Sequence, residues 1–239
     1  MSVFPFPQPR ALHPRLQAVA DYVRPGARLC DVGTDHGYLI CALAAKGKIP
    51  GGIACDIRPG PLSGARAEIA RLGLSERIET RLCDGLSCVS PDEAQDIAIA
   101  GMGGELIAEI IGRAVWLRDC KKRLILQPQT RAPQLRSALF SLGFSILQER
   151  GVRDGRFLYT VLCCRYGGAP EAPGPLLCCT GALPQDRHPE SREYLLHLAG
   201  QLQKRAKGLS LSGRKTDSED CRQLSRQILA LAEQGPVPG

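Results

Sequence analysis

Residues 27–46, ARLCDVGTDHGYLICALAAK, decide the fold. The run 27–32 is apolar enough to predict a buried strand, and 37–46 carries the composition of a buried helix. Between them lies a short turn holding Gly33 and Gly37, so a strand feeds directly into a helix. Working outward, the same unit repeats. GGIACDI (51–57) reads as a strand. In the following helix Leu62, Ala65, Ile69 and Leu72 recur at 3,4,3 spacing, and Gly73 stops it. RIETRLCDG (77–85), DIAIAG (96–101) and RLILQP (123–128) read as three further strands. ELIAEIIG (105–112) and PQLRSALFSLG (133–143) read as helices, the latter with Leu135, Leu139 and Leu142 inward. Strands alternating with helices predict an α/β fold built on a parallel, doubly wound sheet.

After residue 143 the pattern changes. FSILQERGV (144–152) and RFLYTVLCCR (156–165) are two strand-like runs around the turn signal Arg153-Asp154-Gly155, which predicts an antiparallel hairpin. YGGAPEAPGP (166–175) is a Gly/Pro-rich linker and marks the boundary between a domain at 1–168 and a second at 169–239. Since every strand lies upstream of the linker, residues 1–170 are expected to fold alone. The second domain reads as a helical, coiled-coil-like hairpin. Its first stripe is Leu195, Leu198, Leu202, Ala206 and Leu209, and its second is Cys221, Leu224, Ile228 and Leu231. SLSGRK is the turn between them, Thr216–Glu219 has the form of a capping box, and PVPG is a frayed tail.

Composition narrows the class. With 44% hydrophobic and 23% charged residues the chain is an ordinary globular protein. No run approaches the ~18 apolar residues of a membrane span, and the proline-broken N-terminus lacks a signal peptide's apolar stretch. A cytoplasmic location is the default expectation. The 11 cysteines form no C-x-x-C pair, so no metal site is expected and the thiols read as reduced, small hydrophobes. The net charge of +7 hints at a polyanionic partner. Residues 187–226 hold nine Lys/Arg against five Asp/Glu, a net of +4, with Lys204 and Arg205 central to the excess. That charge fits a surface for a polyanion, while an ordinary solvated helical face or a homodimer contact is the competing reading.

The chemistry sits at the strand ends. Asp31-Val32-Gly33-Thr34-Asp35-His36-Gly37 has the spacing G-x-x-x-G, not the G-x-G-x-x-G that cradles a pyrophosphate. Its two carboxylates repel phosphate but suit a cofactor bearing a sulfonium and an ammonium, S-adenosylmethionine. Asp56-Ile57 ends the second strand, where a carboxylate accepts from ribose hydroxyls. Asp84-Gly85 follows the third strand, with an acceptor for an adenine amino group and space for the ring. Ala100-Gly101-Met102 follows the fourth, and Gly103-Gly104 continues toward the substrate side. Asp and Gly are common at any single strand end; four consecutive strand ends carrying them make a site. A hairpin closing the sheet also fits a Rossmann-like methyltransferase better than a dehydrogenase, which more often continues with another strand–helix unit.

DVGTDHGYL, the acidic end of the second strand, CDGL, IAGMGG and LILQP, in this order, resemble the bacterial TrmK family. RLQAVADYV near the N-terminus and DGRF in the hairpin extend the resemblance over roughly residues 12–166. It implies an S-adenosylmethionine-dependent enzyme that methylates N1 of the adenosine at position 22 of tRNA, with a helical C-terminal domain. Ile40, where the family often has Pro, and Thr160, where Glu is frequent, depart from the pattern. The glycine-rich segment after strand four, in place of an Asn-Pro-Pro-Tyr-like one, suits a ring nitrogen that attacks without losing a proton. The product is cationic, so Asp35 is the candidate to stabilise developing charge and His36 a second, orienting one. Arg15 is a candidate for phosphate or for the cofactor carboxylate. A small-molecule methyltransferase and an inactive RNA-binding module are the rival functions.

Overall fold

The computed structural model describes residues 7–234. The first six residues of the proline-broken N-terminal stretch and the PVPG tail lie outside them. Seven strands form one sheet in the order β3-β2-β1-β4-β5-β7-β6. The strands are β1 (Leu29–Val32), β2 (Gly52–Asp56), β3 (Ile78–Leu82), β4 (Asp96–Gly103), β5 (Arg123–Thr130), β6 (Phe144–Asp154) and β7 (Phe157–Tyr166). The first five run parallel. β7 pairs antiparallel with both β5 and β6. The hairpin therefore closes the sheet as expected, folding back so that its second strand lies inside its first. β1 and β4 are neighbours although two strands separate them in sequence, which makes their C-terminal ends the switch point where such sheets bind ligands.

Helices cover both faces. On one side α1 (Pro14–Tyr22), α2 (Tyr38–Ala45) and α3 (Pro59–Arg71) bury Val19, Leu39, Ile40 and Ile69 against Leu29, Ala54 and Val161. On the other, α4 (Gly104–Arg113) and α5 (Ala132–Ser141) bury Ile107, Ile110, Leu135 and Leu139 against Cys30, Val32, Ile97 and Leu124. Residues of both faces of β1 are buried, the acidic Asp31 among them. Proline stands at the first or second position of α1, α3 and α5, where its missing N–H costs no helical hydrogen bond. Six of the 11 cysteines are buried; Cys88 and Cys120 are exposed, and all are unpaired.

The linker leads into a short helix α6 (Pro175–Thr180) and a 3-10 turn (Leu183–Gln185), then α7 (Pro189–Leu211) and α8 (Lys215–Gln234). The closest seam between α7 and α8 is made by small residues rather than by the leucine stripe alone. Ala199 and Ala206 face Ser218, Ser225 and Ala232, each row at seven-residue spacing and all buried. Ser218 Oγ donates to the Ala206 carbonyl at 2.8 Å, and Ser225 Oγ to that of Ala199 at 3.0 Å. Thr216 does not cap α8, because the helix has already begun at Lys215.

Packing across the linker is tight. Arg136 and Glu149 are fully buried and paired, with Arg136 Nη2 donating to Glu149 Oε1 at 2.6 Å. The guanidinium also donates to the Cys178 and Cys179 carbonyls, and the carboxylate accepts from Thr160 Oγ1 and Ala182 N–H. Ser191 Oγ accepts from Gly151 N–H at 2.6 Å, and any side chain at Gly151 would meet the backbone at Glu190. A burial this complete needs both partners and all their remaining hydrogen bonds, and several of these come from beyond residue 170. The two parts thus share a polar core, although every strand lies before the linker.

Candidate active site

The C-terminal ends of β1, β2, β4 and β5 open onto a cleft of about 540 Å³. Its floor is built by positive-φ residues. After Val32 the backbone turns at Gly33 (φ 68°), where Thr34 N–H donates to the Cys55 carbonyl at 2.8 Å. Thr34 Oγ1 donates to Asp31 Oδ2 at 2.7 Å. Asp35 then adopts φ 53°, a strained conformation that Asp and Asn tolerate better than other side chains. This geometry aims the Asp35 N–H at Asp56 Oδ2, 3.3 Å away, while Asp56 Oδ1 accepts from Arg58 N–H at 2.9 Å. At the next strand ends, Gly85 (φ 60°) follows Asp84, and Gly101 (φ 79°) lies in a bulge between β4 and β5 that opens the strand end toward the cleft.

Eleven of the residues expected from sequence line this cleft together: Arg15, Asp31, Gly33, Asp35 and Asp56; Ile57, Asp84 and Gly85; Ala100, Gly101 and Met102. The others stand elsewhere. His36 stacks on Tyr38 at 5.5 Å and lies over Gly64, against α3 and outside the cleft lining. Gly37 (φ 71°) precedes α2 and lets it approach Ala65 of α3. Gly103 and Gly104 open α4, and a side chain at Gly104 would meet the Arg131 carbonyl at 2.6 Å, so close packing requires the glycine. Lys204 and Arg205 are exposed on α7. Arg15 is tied down, its Nε donating to Asp154 Oδ2 at 2.6 Å with the guanidinium 4.8 Å from the Tyr159 ring centre.

Sequence reasoning passed over Gln127, which is 1% exposed at the end of β5. Its Oε1 accepts from Gly101 N–H at 3.1 Å and from Arg15 Nη1 at 3.4 Å, joining the glycine bulge to the cation at the cleft wall. A lone amide within the apolar run RLILQP was the available signal. His13, Tyr38, Arg58 and Gln129 also line the cleft.

The electrostatics fit a cationic ligand. Burial pushes the Asp31 carboxyl up to about 6, the Thr34 hydroxyl opposes the shift and the nearby Asp56 charge adds to it. No cation among the described residues pairs with Asp31, although its carboxylate is 4% exposed. An ammonium or sulfonium in the cleft supplies that missing charge, and the acceptors at Asp56 and Asp84 match hydroxyl and amino donors. The residues present therefore fit S-adenosylmethionine. Among the described residues, no group of three or more His, Cys, Asp or Glu is placed to hold a metal, and no helix is long and apolar enough to cross a membrane.

Comparisons with known proteins agree with this geometry. Residues 12–162 match a family model described as a methyltransferase domain. A tRNA (adenine(22)-N(1))-methyltransferase of Bacillus subtilis is 36% identical over 172 residues, 72% of each chain. The solved structure of the Bacillus subtilis m1A22 tRNA methyltransferase TrmK superposes with a TM-score of 0.78 at 28% identity, covering 92% of this chain and 99% of that one. A Streptococcus pneumoniae protein solved in complex with S-adenosyl-L-methionine is 31% identical, with a TM-score of 0.78 over 92% of this chain and all of that one. Both the length of the match and the shared cleft-bearing fold place the chain in one group: it belongs to the tRNA (adenine(22)-N(1))-methyltransferase family.

Proposed function

We propose that this chain transfers the methyl group of S-adenosylmethionine to N1 of adenosine 22 in tRNA. The observation that carries the proposal is the unpaired, buried Asp31 in a cleft to which the ends of β1, β2, β3 and β4 each bring an acidic or glycine element. Bound there, S-adenosylmethionine supplies an electrophilic methyl on a sulfonium. Asp31 faces the ammonium, Asp56 accepts from the ribose hydroxyls, and Asp84 with Gly85 receives the adenine end. Ile57, Met102 and Leu106 bring apolar surface to the cleft.

Adenine N1 carries an in-plane lone pair, so no base is needed to start the transfer. One N–C bond forms as the S–C bond breaks, and the positive charge passes to the purine. Asp35, exposed at the mouth and held in its strained turn, stabilises that charge. The target base leaves its stack to reach the cleft, at a cost of a few kcal/mol that contacts elsewhere on the tRNA offset. Domain 169–239 provides them. On α8 and its approach, Arg214 is paired with Asp217, and Arg222 and Arg226 share Glu219. Lys204, Arg205 and Lys207 have no ion-pair partner among the described residues and form the free cationic cluster on α7.

The reaction requires no compartment other than the cytoplasm, where tRNA and S-adenosylmethionine meet. The test is methyl transfer to a tRNA transcript and to the same transcript with guanosine at position 22. We expect methylation of the first alone. Equal labelling of both, or labelling of free nucleosides only, removes the assignment.

A further inference from the structure

One motif stands outside the cleft and has no role in the chemistry above: Asp154-Gly155-Arg156-Phe157, the tip of the β6–β7 hairpin. β6 ends at Asp154 and β7 begins at Phe157, leaving a two-residue loop with Gly155 at φ 59°. The sheet register places this tip. Leu126 of β5 pairs antiparallel with Leu162 of β7, so the residues of β7 that precede Leu162 run toward the C-terminal end of β5. The tip therefore projects from the C-terminal edge of the parallel strands, the edge on which the cleft opens. Period-two alternation puts Phe157, Tyr159 and Val161 on one face, the face that carries α1.

On that face the side chains form a ladder. The Arg156 guanidinium lies 4.9 Å from the Phe157 ring centre, Phe157 lies 6.2 Å from Tyr159, and Arg15 covers Tyr159 at 4.8 Å. Arg15 in turn lines the cleft and reaches Gln127. Phe157 is 51% exposed, one of the few large apolar side chains left open to solvent. An exposed Phe at a hairpin tip costs solubility, and its own partners do not cover it. Arg153, on the opposite face of the hairpin, is anchored to Glu193 at the start of α7, which leaves the ladder's own face uncovered by the helical domain.

We infer that Arg156, Phe157 and Tyr159 form a stacking platform for an unpaired nucleotide of the RNA that flanks the flipped target. The inference rests on the proposed RNA substrate. Aromatic rings interleaved with guanidinium groups suit unstacked bases, since every base offers a π-face and its phosphate an acceptor. Continuity with the cleft through Arg15 sets the platform beside the reacting base, which keeps the neighbouring base from re-stacking upon it.

The test uses the full chain with Phe157→Ala, Phe157→Leu, Phe157→Trp and Arg156→Gln. tRNA binding is measured by fluorescence anisotropy, S-adenosylmethionine binding by calorimetry, and methylation separately. Phe157→Ala and Phe157→Leu should weaken tRNA binding about 10- to 100-fold while the cofactor Kd stays unchanged, and Phe157→Trp should restore it. Arg156→Gln should lower the slope of log K against log salt by about 1, whereas the Phe157 variants leave it unchanged. Wild-type tRNA affinity in Phe157→Leu, or cofactor affinity falling with RNA affinity, overturns the platform. If Phe157 governs RNA binding yet the wild-type chain methylates no tRNA, the platform stands and the proposed reaction fails. If the wild-type chain binds no RNA, both fail.

Discussion

Replacing Asp31 by Asn separates what this residue does for the fold from what it does for the ligand. In the free chain its carboxyl is held at about 6, against an ordinary 3.8, because it is buried and near Asp56. A folded-state value above the unfolded one means that the native chain binds the extra proton between about pH 4 and 6. Stability is therefore greatest below that window and falls as pH rises through it, by about 3 kcal/mol in all at 1.36 kcal/mol per unit. Asn keeps an oxygen for the Thr34 hydroxyl and carries no charge. The variant should lose this pH dependence and, without ligand at pH 7.5, melt about 6–12 °C higher than the wild type. Cofactor binding should move the other way. The ammonium requires an ionised Asp31, so wild-type affinity should fall about tenfold per pH unit below 6, while the Asn variant binds about 10- to 100-fold more weakly than wild type at pH 7.5 and without that slope. Calorimetric titration and thermal melts from pH 5 to 8 measure both. A variant that melts below the wild type at pH 7.5, or a wild-type Kd flat between pH 5 and 7, refutes the reasoning.

Three further outcomes follow from named contacts. Asp56→Ala should weaken S-adenosylmethionine binding by about 1–3 kcal/mol, through loss of charge-assisted acceptors, and calorimetry reads this directly. Asp35→Asn, which preserves the positive-φ turn, should leave cofactor affinity nearly unchanged and slow single-turnover methyl transfer about 10²-fold; wild-type rates would leave Asp35 a turn residue only. Arg136→Ala strands the buried Glu149 carboxylate and should cost about 3–5 kcal/mol in chemical denaturation, with most of the loss recovered by the apolar pair Arg136→Met and Glu149→Leu.

The parallel strands and their helices were readable because apolar runs alternate with Gly- and Pro-bounded helical stripes from residue 27 to 143. α1 was read only as a motif, since Ala18, Val19 and Ala20 form a contiguous run without helical spacing. α6 hid behind the prolines of the linker. The α7–α8 seam is legible in part: Leu195, Ala206 and Ile228 of the apolar stripes are buried in it, yet Ala199, Ser218 and Ser225, which let the helices approach and hydrogen-bond, are too small or too polar to mark a stripe. At the site, acids that end strands were legible because a strand end fixes where its last side chain points. His36 and Gly104 were not, since the positive-φ turn at Asp35 and the close passage of the Arg131 backbone decide their surroundings. The Arg136–Glu149 pair joins residues 13 apart in sequence to carbonyls more than 40 residues away, a closure that no local pattern announces.

The most direct test of the central claim is the chemical identity and position of the transferred methyl. The full chain is incubated with methyl-labelled S-adenosylmethionine and unmodified tRNA, and the product is digested to nucleosides and mapped. All label should appear as 1-methyladenosine at position 22, and a transcript carrying 1-deazaadenosine there, which lacks the attacking nitrogen, should take none. Label on the exocyclic amino group, on another nucleoside, or on the 1-deaza transcript would contradict attack by N1 in the Asp31–Asp56 cleft.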